Sequence, residues 1–190
     1  RLSTLRLTVG ADVDELLARG TPPAELEATA VDQAARDAPV RLGTTATTLR
    51  WRGHAFRAEA DSFIQVNWRQ MDGLYSLVLD ALQERAEGVI VDGYAGIGVL
   101  SVGLAERAAR VVCIEENHVA ARLGVLNARL NGMAGRIEYV AEGVETALPQ
   151  VGAGADAVVL DPPRAGCDSR VTAWLALAGP NGIWDDVPGE

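Results

Sequence analysis

Val89-Ile90-Val91-Asp92-Gly93-Tyr94-Ala95-Gly96-Ile97-Gly98 decides the fold of this chain. A short β-branched run ends on an acid, a glycine-spaced turn follows, and a helix-forming segment opens at Val99. Strand, tight loop and helix N-terminus form the βα unit of an open α/β sheet, where a ligand approaches the backbone. Downstream, Ala157-Val158-Val159-Leu160 runs into Asp161-Pro162-Pro163-Arg164-Ala165-Gly166. A second strand therefore delivers a second acid to the carboxyl edge of the same sheet.

Outward from these two phrases the periodicity alternates. Strands are predicted over 89–92, 110–115, 137–140 and 155–160, and helices over 66–87, 98–107, 118–130, 144–148 and 171–178. Alternation of this kind predicts a doubly wound, Rossmann-like parallel sheet covered on both faces. A fifth strand around Gly182 to Trp184 is poorly formed, so the sheet is expected to be incomplete on its C-terminal side. Its Asp161 strand would then lie near an open edge.

The first 50 residues carry weaker patterns. Leu5 to Val9 alternates as a strand, Asp12 to Arg19 reads as a short helix, and Ala24 to Asp37 as an alanine-rich helix. Thr44 to Arg52 and His54 to Glu59 read as a hairpin turning at Arg52-Gly53. The expected organisation is a poorly defined segment over 1–50 and a sheet domain over 51–190.

The chain has 190 residues, 48% of them hydrophobic, and a net charge of −9. That length supports one core. The acidity argues against this piece gripping a phosphate backbone unaided. Two cysteines (Cys113, Cys167) and two histidines (His54, His118) offer no metal-site spacing, so no metal is expected. Cys113, inside Val111-Val112-Cys113-Ile114, reads as a buried small hydrophobe. No run is long and apolar enough for a membrane span, and the expected location is the cytoplasm.

Two cofactor classes suit a glycine loop. The dinucleotide pattern Gly-x-Gly-x-x-Gly, started at Gly96, would need glycine at 101, where Ser101 stands. The pattern present is an acid, Asp92, followed by Gly96 and Gly98. S-adenosylmethionine has no pyrophosphate to seat on a helix N-terminus, and its amino-acid tail can face Asp92 directly or through water. Glu115, ending the next strand, can accept hydrogen bonds from both ribose hydroxyls. A nicotinamide oxidoreductase is thus disfavoured by Ser101.

Three phrases in order carry a resemblance: Ser62-Phe63-Ile64-Gln65-Val66-Asn67, then Asp92-Gly93-Tyr94-Ala95-Gly96-Ile97-Gly98, then Asp161-Pro162-Pro163-Arg164-Ala165-Gly166. Together they resemble the RNA uracil-5-methyltransferase family of class I S-adenosylmethionine-dependent enzymes, which make 5-methyluridine in transfer and ribosomal RNA. The resemblance covers roughly residues 50–180; residues 1–40 match only as a remnant of the family's middle domain. It implies that Gln65, Tyr94, Glu115 and Asp161 contact S-adenosylmethionine, beside Asp92, Gly96 and Gly98 of the loop. Val99 and Gly143 stand where the family often places a contacting side chain. Transfer or ribosomal RNA is the implied partner, bound weakly by this acidic chain alone.

The family's chemistry needs a thiolate that adds to uracil C6 and so activates C5. Set at the family's spacing, Asp185-Asp186-Val187-Pro188 falls on its Ser-Cys-Asn-Pro phrase, and Asp186 takes the cysteine's place. The family's glutamate base has no counterpart. Cys167 follows Gly166, but Asp168 beside it opposes the electropositive setting a reactive thiol requires, so capping or packing is its expected role. The expectation is a shortened or degenerate member that binds cofactor and transfers little or no methyl. Two further readings remain: a non-catalytic binding module whose partner chain completes the sheet, and a methyltransferase acting on nitrogen or oxygen, which needs no cysteine.

Overall fold

The computed structural model describes residues 6–9, 16–19, 46–59, 62–64, 68–82 and 87–177. In chain order the elements are β1 (Arg6–Val9), β2 (Leu16–Arg19), β3 (Ala46–Trp51), β4 (His54–Glu59), α1 (Trp68–Leu82), β5 (Val89–Gly93), α2 (Val99–Ala105), β6 (Arg110–Ile114), α3 (His118–Leu130), β7 (Ile137–Val140), α4 (Val144–Val151), β8 (Ala157–Leu160) and α5 (Ser169–Leu177). β5 to β8 form one four-stranded sheet in the order β7-β6-β5-β8, and every pairing in it is parallel. The strand order reverses between β5 and β8, so the carboxyl end of β5 lies at the switch point where open sheets bind ligands.

Alternation along β5 and β6 divides the core. Ile90, Val111 and Cys113 point into one cluster, with Met71, Val102, Leu104 and Leu123 from α1 to α3 and Leu49, Trp51 and Phe56 from the hairpin. Val91, Val112 and Ile114 point to the other face, against Val144 and Leu148 of α4 and Val171 of α5. Both faces being covered explains why these strands read as continuous β-branched runs rather than apolar–polar alternation. Cys113 is fully buried, in keeping with its expected packing role.

The β3–β4 hairpin forms as expected, turning through Arg52 (φ 48°) and Gly53 (φ 84°). Left-handed conformation at both central positions matches the right-handed twist of the flanking strands. Residue 50, the expected limit of the N-terminal segment, lies within β3. Trp51 anchors the hairpin to α1: its Nε1 donates to Asp72 Oδ1 at 2.8 Å, and its ring meets Tyr75 edge-on at 5.6 Å.

Three expectations need correction. Leu16 to Arg19 is not helical; it is β2, paired antiparallel with β1 from Arg6↔Arg19 to Val9↔Leu16. Leucine and alanine are good helix formers, but propensity is a weak guide and cross-strand pairing overrides it here. α4 does not stop at Leu148 but continues through Pro149 to Val151, with Gly152 N–H donating to Leu148 O at 2.8 Å. β8 starts at Ala157 rather than Ala155, because Asp156 turns the chain: its Oδ2 accepts the Val89 N–H at 2.8 Å. The helix expected over 24–37 and the fifth strand at 182–184 lie outside the described residues.

Candidate cofactor cleft

The cleft opens at the carboxyl ends of β5 and β8. Tyr94, Ala95, Gly96 and Ile97 of the glycine loop line it, with Val99 at the start of α2 and Asp161 at the end of β8. Met71 and Tyr75 of α1 and Phe63 and Ile64 of the segment after β4 form the opposing wall. Ser62 sets that segment: its Oγ accepts the Glu59 N–H, and its own N–H donates to Glu59 O, both at 2.9 Å. The resulting turn leaves Phe63 70% exposed at the mouth.

The loop's shape follows from three left-handed residues: Tyr94 (φ 64°), Gly96 (φ 56°) and Gly98 (φ 84°). Tyr94 adopts this conformation without being glycine, a strain that such loops carry where a side chain must be aimed. A Cβ added to Gly96 would meet nothing within 4 Å, so the backbone there borders open space.

The expected site residues divide into two groups. Tyr94, Gly96 and Asp161 line the cleft, whereas Glu115 holds the loop backbone, Asp92 is bonded to Ser101 and Gly98 caps α2. Glu115 Oε2 accepts the Gly96 N–H and Oε1 the Asn117 N–H, both at 2.8 Å. Each oxygen keeps a further lone pair for a ligand hydroxyl. Asp92 is 2% exposed, and Ser101 Oγ donates to its Oδ2 at 2.5 Å. Gln65 and Asp186 lie outside the described residues.

Burial dominates the electrostatics. It pushes the Asp92 carboxyl up to about 7, with the charges of Asp161 and Glu115 adding to the rise and the Ser101 hydrogen bond opposing it. Burial, then Asp92 and Asp161, hold the Tyr75 phenol well above its ordinary range. Three carboxylates thus converge on one edge of the sheet, an arrangement that suits a cationic ligand. Cys167 sits beside Tyr94, and Asp168 beside it is taken up by Arg170, whose Nε donates to Asp168 Oδ1 at 3.0 Å.

Sequence reasoning met Ser101 only as a break in the dinucleotide pattern, not as the partner of Asp92, and it passed over Tyr139. Tyr139 of β7 reaches under the loop, its hydroxyl donating to Gly96 O at 3.4 Å. Side chains at Gly98 or Gly124 would overlap its ring or hydroxyl. The small residues at those two positions were the available signal.

The sheet order, the glycine loop and the acids at the strand ends define a class I methyltransferase fold, as the solved neighbours agree. Residues 78–174, about half of the chain, match the TRM5/TYW2 methyltransferase domain, and the chain belongs to that family of S-adenosylmethionine-dependent enzymes. An uncharacterized RNA methyltransferase of Gloeobacter violaceus is 40% identical over 128 residues, 67% of this chain and 27% of the relative. One from Listeria monocytogenes is 35% identical over 133 residues, 69% of this chain and 29% of the relative. The chain therefore spans less than a third of the length of these relatives. The tRNA (uracil-54, C5)-methyltransferase of Pyrococcus abyssi, solved with S-adenosyl-L-homocysteine, superposes with a TM-score of 0.58 at 27% identity over 70% of this chain and 32% of that one. Trm5 of Methanocaldococcus jannaschii, solved with adenosine, shares the fold with a TM-score of 0.63 at 17% identity, over 85% of this chain and 54% of its own.

Proposed function

We propose that this chain is the cofactor-binding part of an RNA methyltransferase of the uracil-C5 type, holding S-adenosylmethionine in the cleft while transferring little or no methyl by itself. One observation carries the reading: the glycine loop and Asp161 line a single cleft, with the Glu115 carboxylate hydrogen-bonded to the Gly96 N–H of that loop. The residues suit the group. Open space beside Gly96 admits a ligand to the backbone, Tyr94 offers an aromatic face, Glu115 retains lone pairs for ribose hydroxyls, and the acids favour positive charge. S-adenosylmethionine, when bound, supplies a methyl group made electrophilic by its sulfonium.

The chain's own residues would do the rest of the binding. Tyr94 packs on the cofactor and Asp161 borders its methyl group, while the family resemblance assigns the amino-acid tail to Gln65. Phe63, exposed at the mouth of the cleft that Asp161 also lines, gives an unstacked base an aromatic surface. The order of the three sequence phrases and the 27% identity to the Pyrococcus abyssi enzyme support a uridine target in tRNA or rRNA. Asp186 at the nucleophile's place supports inactivity, because a carboxylate does not perform the C6 addition.

A second reading, methylation of a ring nitrogen, is favoured by the TRM5/TYW2 match and needs no thiolate. Titration calorimetry with S-adenosyl-L-homocysteine tests the cleft, and labelled S-adenosylmethionine with transcribed tRNA tests transfer. Binding without label in RNA is expected. Rapid labelling at uracil C5 would refute the inactivity claim, and label on a guanine nitrogen would establish the second reading.

A further inference from the structure

Asn127 is a fully buried polar side chain that the cleft itself does not use. Its Oδ1 accepts the Arg57 N–H at 2.7 Å, and its Nδ2 donates to Arg57 O at 3.1 Å and to Ile97 O at 2.9 Å. One turn on, Asn131 repeats the first two contacts with Ala55, at 3.0 and 2.9 Å. Residues four apart share a helix face, and backbone groups two apart share a strand edge. The two amides therefore pair with β4 as a neighbouring strand would. They differ in one bond. The remaining donor of Asn131 stays within its own helix, on Asn127 O at 2.8 Å, whereas that of Asn127 crosses to the glycine loop.

β4 leads through the Ser62 turn to Phe63 and Ile64, one wall of the cleft, and Ile97 belongs to the other. We infer that Asn127 is a positioning residue: one amide ties both walls together and so fixes the cleft's width. Its single acceptor and both donors are engaged, so no apolar residue of similar size can replace it. The inference rests on the cofactor reading for its binding arm alone.

The decisive comparison is Asn127→Ala with Asn131→Ala, since both remove an anchor on β4 and only the first releases the loop. Backbone hydrogen exchange over residues 96–102 and affinity for S-adenosyl-L-homocysteine are measured in the full chain. Both variants are expected to lower Tm. Asn127→Ala is expected to speed loop exchange and weaken binding by about tenfold each, while Asn131→Ala stays within about twofold of the parent. Equal behaviour of the two variants in loop exchange overturns the inference. Asn127→Ser, which keeps a small donor and acceptor, serves the same comparison if the alanine variant does not fold. Failure of the parent chain to bind the probe counts against the cofactor reading, while loop exchange still decides the role of Asn127.

Discussion

Ser101 donates a 2.5 Å hydrogen bond to Asp92, so the residue that breaks the dinucleotide glycine pattern is the one that holds the buried acid. A glycine at 101 would leave that carboxylate without its side-chain donor. The substitution that excludes one cofactor class therefore has a structural purpose in this one.

Asp92 makes stability depend on pH. Its carboxyl is raised from 3.8 to about 7 by burial and the neighbouring acids, so the folded chain keeps a proton that the unfolded chain releases. The contribution of this group is fully present below the unfolded value and lost as pH rises toward 7, a change on the order of a few kcal/mol. Asp92→Asn removes this titration. Urea midpoints at pH 5 and pH 8 should lie closer together in the variant, and an unchanged gap would count against the assignment.

Removing the Ser101 hydroxyl takes a hydrogen bond from a buried charged acceptor. Ser101→Ala should cost about 1.5–3 kcal/mol at pH 8, where Asp92 is ionised, and less at pH 5, where it is protonated. Denaturation at the two pH values checks the sign. A larger loss at pH 5 would show that the bond serves the neutral acid.

Glu115→Gln exchanges one of two acceptor oxygens for a donor that would face a backbone N–H at Gly96 or Asn117. S-adenosyl-L-homocysteine affinity should fall by about tenfold, while Tm drops by only a few degrees. Calorimetry beside a thermal melt separates loss of the loop clamp from general unfolding.

Gly124→Ala drives a methyl group into the ring of Tyr139 and should cost about 1–3 kcal/mol. Tyr139→Leu removes the obstruction as well as the hydroxyl bond to Gly96 O. A double-mutant cycle should give a favourable coupling of about 1 kcal/mol or more. Strict additivity would place the strain elsewhere.

Much of the sheet was legible because β5 and β6 are buried on both faces and read as apolar runs between helix-spaced segments. The glycine loop and Asp161 were legible because strand ends deliver them to the same edge. β2 was not, since Leu16-Leu17-Ala18-Arg19 carries no strand preference and only its pairing with β1 makes it a strand. The roles of Asn127 and of Asn131, the latter legible only as a helix stop, were missed for a different reason. Inside an amphipathic helix Asn127 reads as polar surface, and only the hairpin across from it turns both amides into backbone partners. Gln65 and Asp186 came from resemblance alone and fall outside the described residues.

β8 touches the sheet through β5 alone among the described residues, yet it carries Asp161 to the cleft. One wall of the pocket thus hangs from a single ladder of four residue pairs. Loosening that ladder would displace Asp161, so the β5–β8 pairing governs how firmly the pocket holds its acid.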